Sequence, residues 1–167
     1  MKHSITLRKW RESDEETLAK YANNNDIARF LTDAFPHPYS LDDAKVFISS
    51  VKDENPTKCF AIDLNGEAIG SIGIHPQSDV HRRNAEIGYF LAEKFWGQGI
   101  MPEAIRQIVK YGFETFDITR IYACPFGHNL KSQRVLEKAG FALEARFENA
   151  IFKNGGFTDE LIYAIRK

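Results

Sequence analysis

The run Phe95-Trp96-Gly97-Gln98-Gly99-Ile100-Met101-Pro102-Glu103-Ala104 carries the clearest chemistry in this sequence. It joins an expected strand, Glu86 to Leu91, to an expected helix, Met101 to Thr115. Two glycines ahead of a helix leave backbone N–H groups without intrahelical partners, and the aligned peptide dipoles add positive potential there. Such a corner can seat a phosphate, with Pro102 tolerated in the first turn. The same pair also reads as a tight turn that binds nothing. A dinucleotide fingerprint would need a third glycine at position 102, which is Pro102, and a P-loop would need Gly-Lys-Ser/Thr, which does not occur. The other reactive side chains form no pattern. Cys59 and Cys124 lack Cys-x-x-Cys spacing and read as small buried hydrophobes. His3, His37, His75, His81 and His128 are scattered, so no metal is expected.

The elements that must hold this corner follow from periodicity. In the helix after it, Met101, Ala104, Ile105, Ile108, Val109, Gly112 and Phe116 recur on one face. Upstream, Ile5 and Leu7 alternate as a half-buried strand. Ser13 and Asp14 open a helix that Asn23-Asn24-Asn25 ends, a short helix is expected at Ile27 to Leu31, and Ser40 starts another to about Val51. Between them, Thr32 to Tyr39 is irregular and holds Pro36 and Pro38. This excursion is expected to form a wall of a binding cleft and to select substrate. Phe60, Ile62 and Leu64 alternate, Asn65-Gly66 turns the chain, and Ala68 to Ile74 returns as a hairpin. After the long helix come a strand at Arg120 to Cys124 and a helix at Leu130 to Ala139, capped by Asn129 and ended by Gly140. Two strands, Ala142 to Phe152 and Phe157 to Ile165, close the chain. The order implies an α/β fold with a mixed, largely antiparallel sheet, helices on both faces and one parallel β-α-β unit at Glu86 to Cys124. The ligand is expected at the carboxyl end of those strands.

Composition narrows the class. The chain has 167 residues, 43% of them hydrophobic, which suits one domain spanning 1–167. A net charge of −1 with mixed signs gives no reason to expect nucleic acid or an anionic membrane as partner. No apolar run approaches the roughly 20 residues of a membrane span, so a cytoplasmic protein is expected.

Three motifs together resemble the GNAT superfamily of acetyl-CoA-dependent N-acetyltransferases, and within it the RimJ/RimL-type ribosomal-protein N-terminal acetyltransferases. The corner resembles the family's Gln/Arg-x-x-Gly-x-Gly/Ala loop, here Lys94 to Gly99, followed by Glu103-Ala104. The preceding strand carries Ala-Glu-Ile-Gly-Tyr as Ala85 to Tyr89. Asn-x-x-Ser-x-x-Val-Leu-Glu-Lys-x-Gly-Phe runs from Asn129 to Phe141. Lys94 departs from the usual Gln or Arg, and Leu136 stands where many relatives place a general-acid tyrosine.

The resemblance implies acetyl-CoA as co-substrate, held by backbone groups around Phe90, Leu91 and Ala92 where the strand splays, by the corner residues Trp96, Gly97, Gln98, Gly99, Ile100 and Met101, and by Asn129. It implies Glu86 as a base acting through water, with pairing to Arg82 or Arg83 as the alternative. Ser132 would protonate the leaving thiolate or satisfy a helix backbone group, and Tyr89 would line the acceptor site or pack in the core. The expected reaction is direct attack by an amine, either a protein N-terminus or a small molecule, in a ternary complex. Asp33, Asp42, Asp43, Asp53 and Glu54 either attract a cationic acceptor or form a solvated face. A non-catalytic acyl-CoA sensor and an interaction domain are the rival readings. The C-terminal hairpin could supply a homodimer contact.

Overall fold

The computed structural model describes residues 4–167, so His3 lies outside the described residues. In chain order the elements are β1 (Thr6–Arg8), α1 (Glu15–Ala22), α2 (Asn25–Ala28), α3 (Leu41–Val51), β2 (Cys59–Leu64), β3 (Glu67–Pro76), β4 (Asn84–Leu91), α4 (Ile100–Thr115), β5 (Arg120–Ala123), α5 (Leu130–Lys138), β6 (Ala142–Lys153) and β7 (Gly156–Arg166). The strands make one seven-stranded sheet in the order β1-β2-β3-β4-β5-β7-β6. Every neighbouring pair is antiparallel except β4 and β5, which α4 connects as a parallel crossover.

Local chemistry sets the element ends. Asp43 and Ser40 cap each other reciprocally, Ser40 N–H donating to the Asp43 carboxylate at 2.8 Å, so α3 starts at Leu41. Asn24 accepts the Asp26 N–H at 2.8 Å, which starts α2 at Asn25, two residues earlier than Ile27. The helix is spent by Ala28, and Arg29 to Leu31 continue as a turn rather than helix. Asn65 and Gly66 both take positive φ, 54° and 89°, as the two-residue hairpin turn requires.

Two apolar layers sandwich the sheet. Ile100, Met101, Ala104, Ile105 and Ile108 of α4, with Leu136 of α5, pack on Ile72, Ile74, Ile87 and Ile121. Leu18 and Ala22 of α1 and Ala44, Ile48 and Val51 of α3 close a second cluster with Trp10, Ala61 and Ala68. Because both faces are covered, β2 is buried continuously from Phe60 to Asp63 instead of alternating with solvent. Asp63 is tolerated there because Arg8 reaches it at 2.6 Å and also grips Asp14 at 2.7 Å.

One irregularity positions the site. The β4–β5 ladder has three residue pairs and stops at Glu86↔Tyr122, whereas β4 continues to Leu91. Beyond Glu86 the strands part, and among the described residues the last part of β4 has a strand neighbour on its β3 side only.

Candidate active site

The parted edge follows from ladder alternation. The Ala92 N–H donates to the Ile69 carbonyl at 2.8 Å, so the backbone groups of Leu91 point the opposite way, into the gap. There the Leu91 carbonyl accepts from Trp96 Nε1 at 2.8 Å, and its N–H is the group turned to the opening. Of the three backbone positions expected to hold a ligand arm, Ala92 has thus already committed its N–H to β3. Phe90 lies on the other side of β4, packed edge-on against Phe35 at 5.5 Å between ring centroids.

Directly after β4 the chain turns at Glu93–Phe95 and reaches the glycine corner. Gly97 and Gly99 have φ of 73° and 75°, and a Cβ at either would meet no heavy atom within 4 Å. The left-handed conformation, not crowding, is therefore what demands glycine. Gly99 is the N-cap of α4 and supplies no side-chain cap, so the first helical N–H groups remain for a ligand. Gln98 instead reaches back to the Lys94 carbonyl at 3.1 Å, bracing the loop. Two left-handed glycines beside an uncapped helix start make an anion nest, and these residues fit the pyrophosphate of a coenzyme A ester. Lys131, in the first turn of α5, lies 4.6 Å from the Trp96 ring centroid and brings an ammonium to this corner.

The ionisable groups divide between the two faces of β4, because alternate residues of a strand point to opposite sides. Tyr89 packs with the α4–α5 cluster, and its hydroxyl lies 2.6 Å from Ser132 Oγ. Burial pushes the Tyr89 hydroxyl well above its usual value, with the Ser132 hydrogen bond opposing in part, so it stays protonated at neutral pH. Ser132 donates its backbone N–H to Asn129 Oδ1 at 3.2 Å, so Asn129 does cap α5. Leu136 is fully buried in the same cluster and leaves no hydroxyl at that position.

Glu86 lies on the opposite face, half-buried. Burial raises its carboxyl above the ordinary range, as does Glu160, while His75 and a hydrogen bond with the Cys124 thiol pull it down. Neither expected arginine partner reaches it: Arg83 pairs with Asp117, and Arg82 donates to the Asp79 carbonyl at 3.0 Å. Cys124 is half-buried rather than buried, its thiol pushed up to about 12 chiefly by burial, so it is a thiol and not a thiolate at neutral pH. Cys59 is half-buried too.

Several neighbours had no signal in the sequence. Glu160 of β7 comes beside Glu86 through the insertion of β7 next to β5, a pairing that alternation cannot specify. Past β5, Phe126 bridges Glu160, and the His128 ring stacks on Phe126 at 6.2 Å and meets Phe30 at 5.1 Å. The excursion between α2 and α3 stands against this wall, with Phe35, Asp33 and His37 lining a cavity. Of the five acidic residues expected in and after it, three are occupied. Asp43 caps α3, Glu54 accepts the Lys58 and Cys59 N–H groups at 3.0 and 3.1 Å, and Asp33 pairs with Lys153 at 2.7 Å.

The parted β4–β5 edge, the glycine anion nest and the placement of Glu86 and Ser132 on opposite sides of β4 form an arrangement that suits acyl transfer from a coenzyme A ester. The chain belongs to the GNAT acetyltransferases: the family model described as "Acetyltransferase (GNAT) domain" matches residues 4–142. Among curated proteins it is 30% identical to "Uncharacterized N-acetyltransferase YoaA" of Bacillus subtilis, over 98% of this chain and 93% of that one. Among solved structures it is similar to the microcin C7 self-immunity acetyltransferase MccE in complex with acetyl-CoA and AMP, with TM-score 0.80 and 28% identity over 98% of this chain and 92% of that one. RimL, the ribosomal L7/L12 α-N-protein acetyltransferase in complex with coenzyme A, shares the fold at TM-score 0.83 and 24% identity, covering 98% of this chain and 94% of that one. The protein is an acetyl-CoA-dependent N-acetyltransferase.

Proposed function

We propose that the enzyme transfers the acetyl group of acetyl-CoA to a primary amine by direct attack within a ternary complex, with Glu86 as base and Ser132 as acid. The observation that carries this reading is the placement of the two groups on opposite faces of β4 at the point where β4 and β5 part.

Bound acetyl-CoA supplies an activated acyl carbon and a thiol leaving group. Gly97, Gly99 and the N–H groups of Ile100 and Met101 hold its pyrophosphate, with Lys131 adding positive charge from α5. The amide of Asn129 and the backbone at Leu91 hold the arm, and the Leu91 N–H stabilises charge on the acyl oxygen. Glu86 takes a proton from the incoming ammonium group through water, a role that its raised pKa suits. On the other face the Tyr89 and Ser132 hydroxyls share a hydrogen bond, and we assign Tyr89 the donor role in it, which leaves the Ser132 proton for the departing sulfur. Tyr89 is thus a positioning residue for Ser132 and does not line the acceptor side. The acceptor enters from the Glu86 face, between Thr32 to Tyr39 and the β6–β7 hairpin, and that excursion selects it. Both a peptide N-terminus and a small amine fit such an open cleft, and the cytoplasm is the proposed place of action.

An acceptor panel of peptides and small amines, read by free CoA release, tests the reading. Acetyl-CoA binding without amine-dependent CoA release would favour a sensor instead.

A further inference from the structure

Just beyond the wall formed by Phe126 and His128 lies a cavity of about 300 Å³ whose polar side chains are Arg29, His128, Lys153, Asn154 and Thr158. None of its lining residues carries a carboxylate. We infer that this cavity, where Arg29 of the turn after α2 faces Lys153 and His128 across the mouth of the β6–β7 hairpin, receives a carboxylate or phosphate carried by the acceptor, so that the substrate is an anionic amine. The inference rests on the transferase reading and names the acceptor class for the same site.

The three cationic or donor side chains are held in place. The Arg29 guanidinium sits 4.5 Å from the Phe30 ring centroid, and His128 Nδ1 lies 2.9 Å from Thr158 Oγ1, which leaves Nε2 for a ligand. Lys153 is 12% exposed and turned inward, whereas its partner Asp33 is 83% exposed. Arg29 is 3.4 Å from Asp26, both about half exposed. Solvent screens these two carboxylates, and a guanidinium with five donors and an ammonium with three keep hydrogen bonds to give. Asp33 enters only the adjoining cavity of about 210 Å³, which shares Arg29, Lys153 and Asn154.

The cavity shares a wall with the base's side of the sheet. Phe126 bridges Glu160, and the Phe126 ring stacks at 6.2 Å on His128, which lines the cavity. Thr158, also in the lining, is two residues from Glu160 on one face of β7, about 7 Å along the strand. An amine poised at Glu86 would therefore place a substituent several bonds away among Arg29, His128 and Lys153. An ammonium there, as at the far end of a polyamine, would face two cations. An oxyanion there gains charge-assisted hydrogen bonds.

The test pairs acceptors that differ in the anion: phosphoethanolamine with ethanolamine, and β-alanine with propylamine, alongside spermidine. With acetyl-CoA saturating, CoA release should favour one anionic member over its neutral partner by roughly tenfold or more in kcat/KM, and the pair that responds separates phosphate from carboxylate. Arg29→Glu and Lys153→Met should each raise the KM for that acceptor about tenfold without changing the KM for acetyl-CoA, and Arg29→Lys should retain most of the preference. A second measurement does not need turnover. Protein saturated with CoA, so that the glycine corner is filled, is titrated with phosphoethanolamine or β-alanine, and one of them should raise the unfolding temperature in the wild type but not in Arg29→Glu. Preference for spermidine, or no stabilisation by either anion, overturns the inference. Stabilisation that Arg29→Glu abolishes, with no CoA released from any amine, would keep the cavity's ligand and reject acetyl transfer.

Discussion

The Tyr89 hydroxyl and the Ser132 hydroxyl lie 2.6 Å apart across the space between β4 and the first turn of α5. The strand that lines the parted edge is thereby coupled to the helix that carries Ser132, the proposed acid. Tyr89 is buried enough to keep its proton, so it has an O–H to donate to Ser132 Oγ, and in the proposed mechanism that donation leaves the serine proton for the sulfur.

Ser132→Ala should therefore lower kcat by about 10²-fold with little change in acetyl-CoA affinity. Tyr89→Phe, which keeps the packing and removes the donor, should lower kcat by roughly five- to tenfold. Steady-state kinetics with acetyl-CoA varied check both. Loss of acetyl-CoA binding in Ser132→Ala would recast the serine as a positioning residue.

Glu86 links rate and stability in opposite directions. Its carboxyl pKa is raised in the folded protein, so the folded state holds a proton that the unfolded chain releases. Stability from this group is full below the ordinary carboxylate value and declines as pH rises through the raised one. Glu86→Gln should thus unfold at a higher temperature than wild type at neutral pH, with the advantage vanishing below about pH 4. The same variant should lose rate most between the raised Glu86 value and the pKa of the acceptor amine, where wild-type Glu86 is ionised and the amine still carries its proton, and the difference should shrink on the acid side as the wild-type carboxyl is protonated. Melting curves and pH–rate profiles read the two effects, and an unchanged profile removes Glu86 from the mechanism.

The glycine corner can be separated from glycine strain in general. Gly97→Ala and Gly99→Ala should each cost about 1–2 kcal/mol of stability, because a Cβ opposes φ near 75°. Gly155, in the β6–β7 turn, has φ of 77° and equally open surroundings, so Gly155→Ala should cost the same. Stabilisation by acetyl-CoA should fall in the first two variants and persist in the third. Thermal shifts with and without acetyl-CoA decide this.

Lys131→Ala should raise the KM for acetyl-CoA several-fold while leaving kcat unchanged, an effect that shrinks as salt is raised from low to high. Trp96 holds the ammonium at the corner, so Trp96→Leu should share part of the loss.

Much of this architecture is visible in residue pattern, because its helices and turns rest on local chemistry. The apolar stripe of α4, the Ser40 cap and the Asn65-Gly66 turn each specify their element without help from distant residues. What escapes is set by the sheet. That β7 rather than β6 lies beside β5 decides that Glu160 meets Glu86, and no periodicity encodes the choice. Burial on both faces hides the expected alternation of β2. Glu86, Ser132 and Asn129 are legible only as a family pattern. The division of Glu86 from Tyr89 follows from strand parity once β4 is known. Arg29, His128 and Lys153 carry no motif, because three distant segments bring them together.

The central claim, acetyl transfer to an amine with Glu86 and Ser132 acting from opposite sides of β4, is most directly tested by following free CoA and acetylated amine together. Wild-type protein should release CoA only when an acceptor amine is present, in a one-to-one ratio with the acetylated product, and Glu86→Gln and Ser132→Ala should both suppress that release. Acetyl-CoA that stabilises the protein but yields CoA at the background hydrolysis rate with every amine would contradict it.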